Sequence, residues 1–282
     1  MTEFGRILWV ILLSFILFSF SFPQSQDKKF LAIIPTFHDR EEYSENPIQL
    51  VHQEFVLFLY QDAAAVYLRA DFVNTSVESV TSGFSLPSTG HDENGNEPGG
   101  RISNGILDVI LWVEGEKISP ELIHEGEEDL YTIDMKFGPS ETRNVNALFW
   151  AQTSLTDYDA TPGLDTAIIP GGKRGLMVDI AHASAWNDIV ESIGITAVLK
   201  EGLSAEDKSF SAVPETYAAE DSVLSWKFEN IEPSYENNIF IWYSAPDRRR
   251  QEFGSMEKLS KHIVHIAYDE LLEYIRQFQE ED

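Results

Sequence analysis

Two groups of residues have types and spacings that chemistry can use. His262 and His265 stand three apart, and Asp269 follows His265 by four. On a helix that spacing brings three ligand-type side chains towards one face, as helix-borne metal sites require. The same histidines flank an apolar stripe, where boundary residues at the edge of a buried face also sit, and no His-Glu-x-x-His pattern accompanies them. The second group is Asp92, Glu93, Asn94, Asn96 and Glu97, a concentration of oxygen ligands in a glycine-containing loop of the kind calcium uses. The helix-loop-helix calcium pattern fails at Glu97, which occupies the place of the required glycine. A solvated surface loop has the same composition.

Other signals fall away on inspection. Gly171-Gly172-Lys173 lacks the spacing and the following Ser or Thr of a phosphate loop, and reads as a turn. No Gly-x-Ser-x-Gly elbow presents a serine, and His91 and His182 stand isolated. Glycosidase-like carboxylate pairs could be drawn almost at will from 47 acidic residues, so no pair is informative. Trp112, Trp150, Trp186, Trp226 and Trp242 could stack on sugars if exposed, but most lie in strand-like runs where packing is the commoner role. No catalytic residue and no cofactor is assigned; calcium at the acidic loop is the one cofactor in view.

The elements that would position such residues are mostly strands. Val66, Leu68, Ala70 and Phe72 alternate with Tyr67, Arg69 and Asp71, which puts apolar groups on one face. Residues 55–60 are apolar throughout and read as a strand covered on both faces, with Gln61-Asp62 breaking the chain before its hairpin partner. Asn74-Thr75-Ser76 makes a polar turn, and residues 77–84 a third strand. Further strands are expected at 30–35, 105–113, 129–137, 144–154, 176–180, 193–200, 223–228 and 239–243. Loops are expected at 38–46 and 88–100, and 201–220 reads as a long polar connection. Residues 157–175, rich in Gly, Pro and Thr, could divide two halves. Residues 255–278 carry Leu259, Ile263, Ile266, Leu271 and Phe278 on one helical stripe, with Ser255 as N-cap.

The expected fold is therefore mainly β: an antiparallel β-sandwich, one large or two packed, with a C-terminal amphipathic helix. Residues 1–25 read as a signal peptide, 26–245 as the sandwich region, and 246–282 as linker and helix. The signal reading rests on Arg6, the apolar run of 7–20 and the small residues after it; a retained anchor is the alternative. With 43% hydrophobic residues the chain can fill a core. A net charge of −27 argues against nucleic acid and anionic membrane as partners. The absence of cysteine excludes disulfides, zinc-thiolate sites and thiol nucleophiles, and in an exported chain points to a bacterial source.

Three passages together resemble a family of bacterial exported domains of unknown function. They are residues 66–74 followed by Gly83-Phe84-Ser85-Leu86-Pro87; Ala185-Trp186-Asn187-Asp188-Ile189 with the strand after it; and residues 224–233, ending Asn230-Ile231-Glu232-Pro233, followed by Asn238-Ile239-Phe240-Ile241. The resemblance implies an extracytoplasmic, mostly β domain without an assigned activity. The expected function is that of a non-enzymatic interaction or structural module, periplasmic or extracellular. Its partner would be a protein or envelope component, with no membrane span after signal cleavage. The alternative is an extracytoplasmic hydrolase or glycan-binding protein with a carboxylate-lined cleft.

Overall fold

The alternating apolar runs become strands, and the chain is mainly β. In this computed structural model, residues 32–39, 47–61, 63–87, 106–125, 128–156, 173–186, 188–200, 202–208, 210–244, 270–273 and 276 are described. The strands in chain order are β1 (Ala32–Ile34), β2 (His38–Asp39), β3 (Ile48–Leu59), β4 (Ala63–Asn74), β5 (Val80–Pro87) and β6 (Ile106–Val113). Then come β7 (Glu116–Ile118), β8 (Glu121–Glu125), β9 (Glu128–Phe137), β10 (Thr142–Gln152), β11 (Ser154–Thr156) and β12 (Lys173–Val178). The last are β13 (Val190–Leu199), β14 (Ser211–Val213), β15 (Ala218–Glu220), β16 (Val223–Ile231) and β17 (Ile239–Tyr243).

Among the described residues these form three sheets. The largest has eight strands in the order β15-β16-β13-β3-β4-β10-β6-β7. A second runs β1-β12-β17-β14, with β11 also on β12, and a third β2-β5-β9-β8. The sheets are not antiparallel throughout, as the sequence led us to expect. β13 lies parallel to β3, and β1 parallel to β12. Parallel neighbours need a long crossover, and in both cases most of the domain lies between the partners. Periodicity reports which face a residue takes, not which strand it meets.

The hairpin of β3 and β4 is present, closed by the Tyr60 amide donating to the Ala63 carbonyl at 2.8 Å. On β4, Ala64, Val66, Leu68, Ala70 and Phe72 all point into the main core. On β3 the inward set changes parity. Ile48 and Leu50 face inward, a register shift follows between Leu50 and His52, and Phe55, Leu57 and Leu59 then face inward. One extra residue at a bulge exchanges the faces of everything after it.

That main core takes side chains from all three sheets. Phe72, Phe84 and Trp186 meet at its centre, with ring centroids 4.6 to 4.8 Å apart. The Trp186 indole also donates to the Phe37 carbonyl at 2.9 Å. Two of the three passages that carry the family resemblance thus supply core aromatics, and the third supplies Trp226, buried on the inner face of β16. Asn74 ends β4 by donating to the Glu78 and Gly138 carbonyls at 2.7 and 2.9 Å and accepting from the Ser76 amide, which fixes the expected polar turn.

A second, smaller core lies on the opposite, outer face of the eight-stranded sheet. Val56, Phe58, Ala65, Tyr67, Leu148, Trp150 and Val198 form it, and Leu271 closes it. Leu271 belongs to the helical residues 270–273 and is fully buried. This second cover is why residues 55–60 are apolar at every position. No helix among the described residues is long and apolar enough to cross a membrane.

Candidate functional site

Four residues along β3 from Phe58, about 13 Å at strand rise, the outer face of the eight-stranded sheet turns polar. The pleat places Tyr67, Arg69 and Asp71 of β4 there, with Asn144 and Asn146 of β10 and, after the bulge, His52 and Glu54 of β3. Cross-strand register aligns them. Asn144 stands opposite Asp71, and Asn146 opposite Arg69. Arg69 stands opposite Glu54, and Glu54 opposite Gly194 of β13. Lys227 of β16 lies beyond Gly194 at one end of the row, and Trp112 of β6 beyond Asn146 at the other.

A hydrogen-bond chain fixes these side chains. The Tyr67 hydroxyl donates to Asn146 Oδ1 at 2.8 Å, Asn146 Nδ2 to Asn144 Oδ1 at 2.5 Å, and Asn144 Nδ2 to Asp71 Oδ1 at 2.5 Å. Arg69 bridges to the other Asp71 oxygen at 3.3 Å, and Lys227 to Glu229 at 2.6 Å. His52 Nδ1 and Ser192 Oγ share a 2.6 Å hydrogen bond. Burial pushes the Tyr67 phenol up to about 12, opposed by Arg69 and reinforced by Glu54 and Asp71. The row is thus a fixed array of amides, carboxylates and one guanidinium, suited to binding through side chains.

A second locus follows β12. The Asp179 side chain, 8% exposed, pairs with His182 Nδ1 in the 3-10 helix Ala181–Ala185. Its Oδ1 has no hydrogen-bond partner among the described atoms. Asn238 Oδ1 starts the helix by accepting the Ile180 and Ala181 amides at 2.8 and 2.9 Å. In the sequence nothing connects His182 with Asp179 beyond a spacing of three.

Asp92, Asn94, Asn96, Glu97, His262, His265 and Asp269 all lie outside the described residues, as do the signal segment and the linker after residue 245. Among the described residues, no group of three or more His, Asp or Glu side chains is placed to hold a metal ion. Of the tryptophans, Trp150, Trp186, Trp226 and Trp242 are buried and pack; Trp112 is only partly so. The sequence showed the polar members of the row only as the solvent half of two alternating strands. Their convergence depends on the pairing of β4 with β10, across 73 residues between Asp71 and Asn144.

No protein-family model matches the chain, and no curated protein matches it by sequence. The fold is similar to that of a solved Legionella pneumophila protein provisionally described as nutrient binding. The TM-score is 0.51 at 14% identity, over 82% of this chain and 78% of that one. At that identity the likeness concerns the fold alone. Weaker likenesses reach an M1 zinc metallopeptidase of Deinococcus radiodurans (TM-score 0.37, 11% identity, 76% of this chain and 44% of that one). They also reach yeast LTA4 hydrolase (TM-score 0.40, 11% identity, 78% of this chain and 31% of that one). This chain spans less than half of either enzyme, and scores at that level establish no shared fold.

Proposed function

We propose that the chain is an exported, non-enzymatic β-sandwich module that binds an envelope or surface component through the outer face of its eight-stranded sheet. One observation carries this reading: that face divides into an apolar end closed by the chain's own Leu271 and a polar end whose side chains are oriented by one another. A face built only for solvation has no need of such an interlocked network, whereas a binding surface gains from side chains already fixed before the ligand arrives. The Legionella protein's description names a binding role, the same broad class. Export follows from the amino-terminal pattern, and the mature chain is expected to begin between Phe22 and Lys28 in the periplasm or outside the cell. The test is capture from envelope extract by the mature protein and by Asn146→Arg, which places a charge in the row. Loss of capture by a folded variant supports the face as the working surface; unchanged capture removes it.

The Asp179–His182 pair favours a second reading, an extracytoplasmic hydrolase in which a buried carboxylate orients an imidazole. That reading requires ester, amide or glycoside hydrolysis that disappears in His182→Ala. A panel of chromogenic substrates without turnover by the folded protein would set it aside.

A further inference from the structure

We infer that the polar row on the outer sheet face binds a neutral, polyhydroxylated ligand, an oligosaccharide, and that Gly194 forms the floor on which it rests. The inference rests on the reading of that face as the binding surface and names what it binds.

Gly194 lies in the middle of the ten-residue β13, flanked by Ile193 and Ile195. Its φ is not in the left-handed region, and a Cβ built there meets nothing within 4 Å. Neither backbone conformation nor internal packing therefore asks for glycine, which weakens a strand interior relative to alanine. Glycine in such a place marks the close approach of something else. Here it leaves a gap on the face between Glu54 and Lys227, its two cross-strand neighbours.

The surroundings select the ligand's chemistry. β13 is hydrogen-bonded on both sides, to β3 and β16, so a peptide cannot be read by adding a strand at this point. Recognition must come from side chains. Arg69 is paired with Asp71 and Lys227 with Glu229, so among the described residues Glu54, although opposite Arg69 in register, has no salt bridge of its own. An anion gains nothing there, and the acidity of the whole chain opposes it further. Carboxylates, a guanidinium and amides set side by side match a ligand that both donates and accepts at each hydroxyl. Asn146 keeps one amide hydrogen and one lone pair beyond those used by Asn144 and Tyr67. Trp112, partly buried and packed against the apolar end of the same face, stands opposite Asn146 at the far end of the row, an aromatic side chain of the kind sugars stack on.

The experiment is calorimetric titration of the full mature chain with short neutral oligosaccharides, beside uronic-acid oligosaccharides of equal length, repeated with Gly194→Val and Asn146→Ala. Valine suits a strand better than glycine, so Gly194→Val is expected to melt at or above the wild-type temperature. It should nevertheless bind a neutral oligosaccharide at least tenfold more weakly, a loss of about 1.4 kcal/mol. Asn146→Ala, three strands along the row from Gly194, should also bind more weakly, and it decides the matter if valine disturbs the strand. The inference is overturned if no neutral oligosaccharide binds, if only the acidic ones do, or if binding ignores both changes in folded protein. Envelope capture by the same variants separates the two levels. Capture lost in Gly194→Val without any oligosaccharide binding removes the sugar and keeps the face; capture unchanged by either variant, with no oligosaccharide bound, removes both.

Discussion

Lys200, at the end of β13, reaches Glu270 of the C-terminal helical segment at 3.3 Å, while its ammonium lies 4.1 Å from the centre of the Phe58 ring. One side chain thus ties the helix to the apolar end of the outer sheet face, beside the buried Leu271. Both charges are partly exposed, so Lys200→Ala should cost no more than about 1 kcal/mol. Leu271→Ala empties a packed position and should cost about 2–4 kcal/mol. Urea unfolding of the two variants measures the difference. Equal small losses would mean that the segment adds little to the fold, and truncation after residue 247 would then leave the melting temperature unchanged.

Trp186 contributes packing and a hydrogen bond that substitution can separate. Trp186→Phe keeps most of the contact with Phe72 and Phe84 but drops the donor to the Phe37 carbonyl, at about 1–2 kcal/mol. Trp186→Ala opens a cavity among those rings, at about 3–5 kcal/mol. Denaturant midpoints at constant slope would check the order and the gap.

Tyr67 makes stability depend on pH at the alkaline end. Its phenol, raised by burial to about 12, holds its proton in the folded state when an ordinary phenol near 10 has lost it. The folded state then binds more protons than the unfolded one, so stability falls as pH rises through that window and is complete below it. Two units correspond to roughly 2–3 kcal/mol. Tyr67→Phe should flatten this part of the pH profile and remove one late-titrating phenol from the ultraviolet difference spectrum. A profile identical to wild type would contradict the burial-driven shift.

Much of the strand pattern is legible in the sequence because one face of most strands meets the main core. Val66 to Phe72 shows this most plainly. Residues 55–60 also carry their meaning, since Leu271 covers the face that would otherwise be wet. The bulge at Leu50–His52 is invisible because it changes parity without changing composition. β14 and β15, inside what reads as a polar connection, are three residues each, too short for alternation to register. The parallel pairing of β3 with β13 leaves no local trace either. For the same reason the candidate row was not legible: Glu54, Arg69, Asn146 and Gly194 become neighbours only through long-range register. Asp179 is hidden differently, as a buried acid at the end of an apolar strand in a chain full of exposed ones.

The most direct test of the proposed binding face is site-specific photo-crosslinking in living cells. A photoreactive residue at Lys227 or Lys117, both exposed and at opposite ends of the row, should capture an envelope component. One at Val77, 87% exposed in the turn after β4, should not. Capture through Val77 with none from Lys227 or Lys117 would contradict the account.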